Sequence, residues 1–162
     1  LEDSLLKIKG PAGEVARLFN HPLIKIEIKD NSIILDVKKA TKREKKMIKT
    51  YAAHINNLLA GALKKFVYKL KICSSHFPMN VSVSSKKSII KNFLGEKCPR
   101  TLDIMDSVDA KINGDIIEIE SCNKENAGNI ASNIELLTKK TGKDVRIFQD
   151  GIYIIEKGGK LV

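Results

Sequence analysis

The sequence predicts an α+β protein built as a tandem duplication of a small unit, each with a mainly antiparallel sheet covered by one helix. Three observations lead there. Alternating apolar residues flank a turn twice along the chain, a segment of helical periodicity follows each of these hairpins, and a β-like segment follows each helix. The same order of elements occurring twice points to duplication. It divides the chain into residues 1–74 and 75–162, joined near Ser74-Ser75.

In the first half, Ile24, Ile26 and Ile28 share one face, Asp30-Asn31-Ser32 turns, and Ile33, Leu35 and Val37 return. Thr41 with Glu44 forms a capping box, and Ile48, Tyr51, Ile55, Leu58, Leu59 and Leu63 recur at helical spacing behind it. The segment "FVYKLKIC" then returns as a strand with Phe66, Tyr68, Leu70 and Ile72 on one face.

The second half runs in parallel. Val108, Ala110 and Ile112 lead into Asn113-Gly114, a hairpin-turn dipeptide, and Ile117 and Ile119 return. Asn123 caps a helix with the stripe Ala127, Ile130, Ile134 and Leu137, Gly142 closes it, and "DVRIFQ" is the strand that follows. Earlier in each half "SLLKIKGPAGE" matches "SIIKNFLGE", which puts Gly13-Glu14 and Gly95-Glu96 in corresponding turns. The strand "MNVSVS" (Met79 to Ser84) opens the second unit, and its counterpart is expected before residue 1.

The 162 residues carry 29 Lys+Arg against 19 Asp+Glu, a formal net charge of +10, which favours a polyanionic partner, nucleic acid before an anionic membrane. No apolar run approaches the roughly 20 residues that cross a bilayer, and no secretory signal opens the chain. Cys73, Cys98 and Cys122 are odd in number and widely spaced, so a reducing compartment and small buried apolar residues are the expectation rather than a disulfide framework.

Charge is unevenly placed. Residues 1–71 hold 16 basic and 7 acidic residues, many around the start of the first helix in "KKATKREKKMIKT". The second half is nearly neutral but segregated: residues 86–100 have five basic and one acidic, residues 101–135 two and eight, residues 139–146 four and one. Lys86, Lys87, Lys97 and Arg100 thus form one basic island, and Lys139, Lys140, Lys143 and Arg146 a second, with Lys97 and Arg100 expected to point outward from a turn. With 5% aromatic residues and no Trp, the chain lacks a stacking surface for single-stranded bases, so contacts to phosphates, sugars and RNA shape are expected.

Catalytic and metal chemistry find little support. The stretch around Gly95 has one glycine and Pro99 where a phosphate loop needs several glycines and a helix, and Cys98 has no nearby metal-ligating partner. Cys73 and His76 read as a strand end and a turn rather than a nucleophile with its base, and Asp103, Asp106 and Asp109 lack a common face. No cofactor and no metal are called for.

Four motifs carry a family resemblance: "KGPAG" (Lys9 to Gly13), "HFPMNV" (His76 to Val81), "NFLGEK" (Asn92 to Lys97) and "RIFQDGIYI" (Arg146 to Ile154). With them the chain resembles, along nearly its whole length, the large-subunit ribosomal protein L six family of archaeal and eukaryotic type, known as L nine in eukaryotes. The resemblance implies a cytoplasmic, ribosome-bound structural protein without enzyme activity. It further implies that the second unit docks on large-subunit rRNA near the sarcin-ricin loop and stalk base, beside neighbouring ribosomal proteins and where translational GTPases bind transiently. The loop around Lys97 and Arg100, and the segment from Lys139 through Arg146 to Gly151, are then the RNA-facing candidates. A free-standing RNA-binding or RNA-chaperone module is the alternative, but its signature, a stacking surface or an arginine-rich arm, is absent.

Overall fold

A computed structural model of the chain describes residues 5–29, 32–38, 40–84 and 86–162. The expected turn at Asp30-Asn31 lies outside the described residues. Two compact units emerge, Leu1–Lys64 and Lys65–Val162.

In the first unit β1 (Leu5–Gly10) and β2 (Gly13–Leu18) pair antiparallel, as do β3 (Lys25–Lys29) and β4 (Ser32–Asp36), and α1 spans Lys42–Leu63. The capping box forms as expected: Thr41 Oγ1 accepts from the Arg43 N–H at 3.3 Å and the Thr41 N–H donates to Glu44 at 2.9 Å. These bonds use backbone donors that the helix leaves free at its start. Tyr51, Ile55, Leu58 and Ala62 are buried with Leu6, Val15 and Phe19, and the Phe19 ring meets Tyr51 edge-on at 4.9 Å. Leu59 and Leu63, placed on the same stripe by spacing, are instead exposed, Leu63 to 70%. The covering sheet is only two-stranded here, so it shields a narrower face than the periodicity allows for.

Where β1 turns, Gly10 pairs with Gly13 and only Pro11 and Ala12 intervene. A Cβ on Gly10 would lie 2.4 Å from the Ala62 carbonyl oxygen, so glycine permits the close approach of this hairpin to the end of α1. The Ala12 N–H uses that approach to donate to Ala62 O at 3.0 Å, satisfying a carbonyl that the helix end leaves free.

The second unit contains β5 (Phe66–Cys73), β6 (Asn80–Val83), β7 (Lys87–Lys91), β8 (Arg100–Asp103), β9 (Asp109–Asn113), β10 (Ile116–Ser121), α2 (Lys124–Leu137), β11 (Gly151–Lys157) and β12 (Lys160–Leu161). One antiparallel sheet has the order β12-β11-β5-β10-β9, and β6-β7-β8 form another. The β9–β10 hairpin turns through Gly114, whose φ of 61° suits glycine. Helix α2 packs on β5, β10 and β11, where Leu70, Ile117, Ile119, Ile134 and Ile152 are fully buried.

Three expectations are corrected. The division falls after Lys64 rather than at Ser74-Ser75, because β5 is not the closing strand of the first unit but lies between β10 and β11 in the second. Both of its edges are hydrogen-bonded there and Leu70 is completely buried. The segment "DVRIFQ" is not a strand: the Asp144 carbonyl accepts from Ile147 N at 3.2 Å and Phe148 N at 2.9 Å, making a turn, and the strand begins at Gly151. Val145 and Ile147 are each 63% exposed, so no buried face rewards extension there. Finally, α2 ends at Leu137, well before Gly142, because Thr138 turns away: its hydroxyl donates to Glu135 O at 3.1 Å and accepts from Ile152 N at 2.9 Å.

Candidate nucleic-acid interface

The hairpin β7–β8 is the second unit's version of β1–β2, but its connection is enlarged: residues 91–99 lie between the paired Ile90 and Arg100. A 3₁₀ turn, Phe93–Gly95, occupies that connection, and Asn92, Leu94 and Gly95 all take left-handed backbone conformations at φ 59°, 50° and 79°. For Leu94 this costs on the order of 1–2 kcal/mol, and less for Asn92, whose short polar side chain tolerates the conformation, so other contacts must hold the loop. Phe93 is buried beneath it, and Asn92 Nδ2 donates to Pro78 O at 3.0 Å.

Arg100 is engaged on several sides at once. Nε donates to Glu96 Oε2 at 2.8 Å, Nη2 to Glu96 Oε1 at 2.5 Å, and Nη1 to the Leu137 carbonyl at the end of α2, while the guanidinium lies over the Phe93 ring at 4.4 Å. Arg100 therefore does not point outward as expected, its side chain being 28% exposed. Its hydrogen bonds hold the Glu96 carboxyl below the usual carboxylate range. Lys97 is exposed and, among the described residues, has no acidic partner.

In the second island, Lys139 is exposed, the Lys140 ammonium donates to the Phe148 carbonyl, and Lys143 lies over the Phe148 ring at 4.5 Å. Asp144 turns the segment, accepting from the Arg146 N–H at 2.9 Å. That bond first, and the Arg146 side chain second, lowers its pKa. The Arg146 side chain remains 91% exposed. Gly151 is buried, with the Tyr153 ring 3.2 Å from where a Cβ would stand, so it shapes the strand start and presents nothing outward.

The structure brings the two islands together through Arg100, whose guanidinium reaches α2 two residues before Lys139. It does not bring Lys86 and Lys87 to them. Those lysines lie at the far end of β7 from the turn, and Lys87 faces Asp103 at 3.8 Å. The aspartates of the acidic stretch also separate: Asp103 faces Lys87 and Asp109 pairs with Lys65 at 2.7 Å. The cysteines are free thiols, Cys98 exposed and Cys73 and Cys122 half-buried, less enclosed than expected.

Sequence reasoning missed the support of the second island. Asp150 is buried and accepts from the backbone N–H groups of Ser75 at 2.5 Å and His76 at 2.9 Å, and meets His76 Nδ1 at 2.7 Å. The His76 ring stacks on Phe148 at 4.8 Å, so Phe148 contacts both His76 and Lys143. The signal was there only as two motifs, "HFPMNV" and "RIFQDGIYI", whose contact no local periodicity reveals.

Fold and site define a class of protein: a duplicated α+β chain whose second unit displays Lys97 on one internally braced loop and Lys139, Lys143 and Arg146 on the segment after α2. The chain belongs to the ribosomal protein L6 family, whose model it matches over residues 1–64 and 77–151. It is 49% identical to large ribosomal subunit protein uL6 of Nanoarchaeum equitans, over 98% of this chain and 87% of that protein. It is 43% identical to the uL6 of Methanosarcina mazei over 97% and 89%. With the uL6 of Methanobrevibacter smithii the identity is 40%, over 97% and 88%.

Proposed function

We propose that this protein is a structural constituent of the large ribosomal subunit in the cytoplasm and that its second unit docks on large-subunit rRNA near the sarcin-ricin loop and stalk base. Translational GTPases then bind transiently close by. The observation that carries the reading is the braced pair of loops around the end of α2, which holds Lys97, Lys139, Lys143 and Arg146 exposed while Glu96, Asp144 and Asp150 are engaged internally. Cations carried on a braced loop backbone meet phosphates at a lower ordering cost than cations on an unbraced one, because only the side chain remains to be fixed. Arg100 and Gly151 support this surface from within, and Lys86 and Lys87 form a separate, weaker contact at the far end of the hairpin.

Neighbouring ribosomal proteins are the further partners in this reading. Val145 and Ile147, both 63% exposed beside the cations, supply apolar area that phosphate does not use. Sedimentation of the tagged protein through a sucrose gradient is the test. Co-migration with large subunits is expected, and recovery only at the top of the gradient would overturn the reading in favour of a free-standing RNA-binding module.

A further inference from the structure

The two units end their helices in equivalent ways with different chemistry. In the first, the tight β1–β2 turn brings its own backbone to α1, and the Ala12 N–H caps Ala62 O. In the second, the equivalent connection is enlarged to residues 91–99, and the carbonyl at the end of α2 is met by Arg100 Nη1. We infer that Arg100 is a positioning residue: its guanidinium replaces the lost backbone cap and clamps the enlarged loop, so that Lys97 is presented to RNA while Arg100 itself touches no phosphate. The inference rests on the proposed RNA docking of this unit.

Each of the three guanidinium nitrogens has an acceptor within the chain, which engages three of its five N–H groups. Nε and Nη2 take both oxygens of Glu96, Nη1 takes Leu137 O, and one face covers Phe93. A planar fork suits these simultaneous contacts, which a lysine ammonium cannot reproduce. Positive charge is also favoured at a helix C-terminus, and α2 has no basic residue of its own in its last turn. The neighbouring backbone requires such a clamp, since Asn92 and Leu94 are both held at positive φ.

The test uses the full chain, an in vitro transcript of the sarcin-ricin domain of Methanosarcina mazei large-subunit rRNA, and a salt series. Positioning and contact predict opposite results for Glu96→Gln. If Arg100 is a phosphate contact held back by Glu96, removing the carboxylate frees a cation, tightening binding and steepening the salt dependence. If Arg100 is the clamp, Glu96→Gln weakens binding about tenfold, the loss expected when one charge-assisted hydrogen bond no longer preorganises the loop. The log–log salt slope then stays unchanged, because no phosphate contact is lost. Arg100→Lys should behave like Arg100→Gln, whereas Lys97→Gln should reduce the slope by roughly 0.7 to 0.9.

A second readout needs no RNA. Trypsin should cut after Lys97 faster in Glu96→Gln and Arg100→Gln than in the unaltered protein, with circular dichroism showing each still folded. Tighter binding by Glu96→Gln, retention of affinity by Arg100→Lys, or unchanged cleavage at Lys97 would each overturn the clamp. If the unaltered protein fails to bind the transcript, the docking reading falls, and the cleavage rates still decide whether Arg100 orders the loop.

Discussion

The buried carboxylate of Asp150 lies 2.7 Å from Nδ1 of His76 and also receives the backbone N–H groups of Ser75 and His76. This tie joins the segment after β5 to the segment before β11, two ends of neighbouring strands in the same sheet. An ionised carboxylate can only accept, so Nδ1 carries the proton in this bond. The ring, thus oriented, stacks on Phe148 and backs the loop that carries Lys143.

Acid should loosen this tie. Burial, the largest single influence, disfavours the charged form of Asp150, but the hydrogen bonds from His76 and Ser75 together outweigh it and hold the carboxyl far below the usual range. A depressed folded pKa means that the stabilisation is fully present above the unfolded value of about 3.9 and is lost as pH falls through the folded value. Urea unfolding followed between about pH 6 and pH 2 should show stability falling on the acid side of about pH 4, with a shallower fall in Asp150→Asn. At neutral pH the same variant should be destabilised by about 2 kcal/mol, the scale of a hydrogen bond to a buried charge.

Placed charge and bulk charge predict different outcomes for ribosome association. The first unit carries most of the excess charge, yet Lys45 and Lys46 are exposed residues on the first turns of α1. Lys97→Glu, Lys143→Glu and Arg146→Glu together should release the protein from the large subunit in a gradient, while Lys45→Glu with Lys46→Glu should do so less. At physiological salt, charges more than about 8 Å from a phosphate are largely screened. Greater loss from the helix pair would move the interface to the first unit.

Each helix stripe is core to its own unit. Ile134 is fully buried and Ile55 is 5% exposed, so Ile134→Asp and Ile55→Asp each bury an unpaired charge. Losses on the order of 3–5 kcal/mol are expected, enough to unfold the unit concerned. Thermal melts monitored by circular dichroism should show one transition lost in each variant, and an unaltered melt would remove that stripe from the core.

Gly10→Ala tests the close contact of the first hairpin with α1. Its Cβ would stand 2.4 Å from a backbone carbonyl, which cannot swing aside as a side chain can. A loss of about 1–3 kcal/mol is expected, as for other overpacked sites. Chemical denaturation gives the value, and a midpoint equal to that of the unaltered chain would contradict the contact.

What the amino-acid order determined by itself was the local structure. Alternation marked β3, β4, β9 and β10, spacing marked the stripes of α1 and α2, and Thr41, Glu44 and Asn123 announced the helix starts, because each of these depends on residues a few positions apart. The basic islands were legible for the same reason, as runs along the chain. Tertiary structure alone decided which sheet received β5, since an apolar alternating strand satisfies any edge and only the burial of Leu70 between β10 and β11 selects one. It alone decided the fate of "DVRIFQ" as well, where Asp144 offered the backbone a turn and no partner strand competed. The division of labour among the cations was equally out of reach of the sequence. Lys97 and Arg100 stand three positions apart and read alike, yet Glu96, Phe93 and the end of α2 converge on one of them and leave the other in solvent. A charge is assigned to support or to display by the acceptors within about 3 Å of it, and those acceptors are gathered by folding.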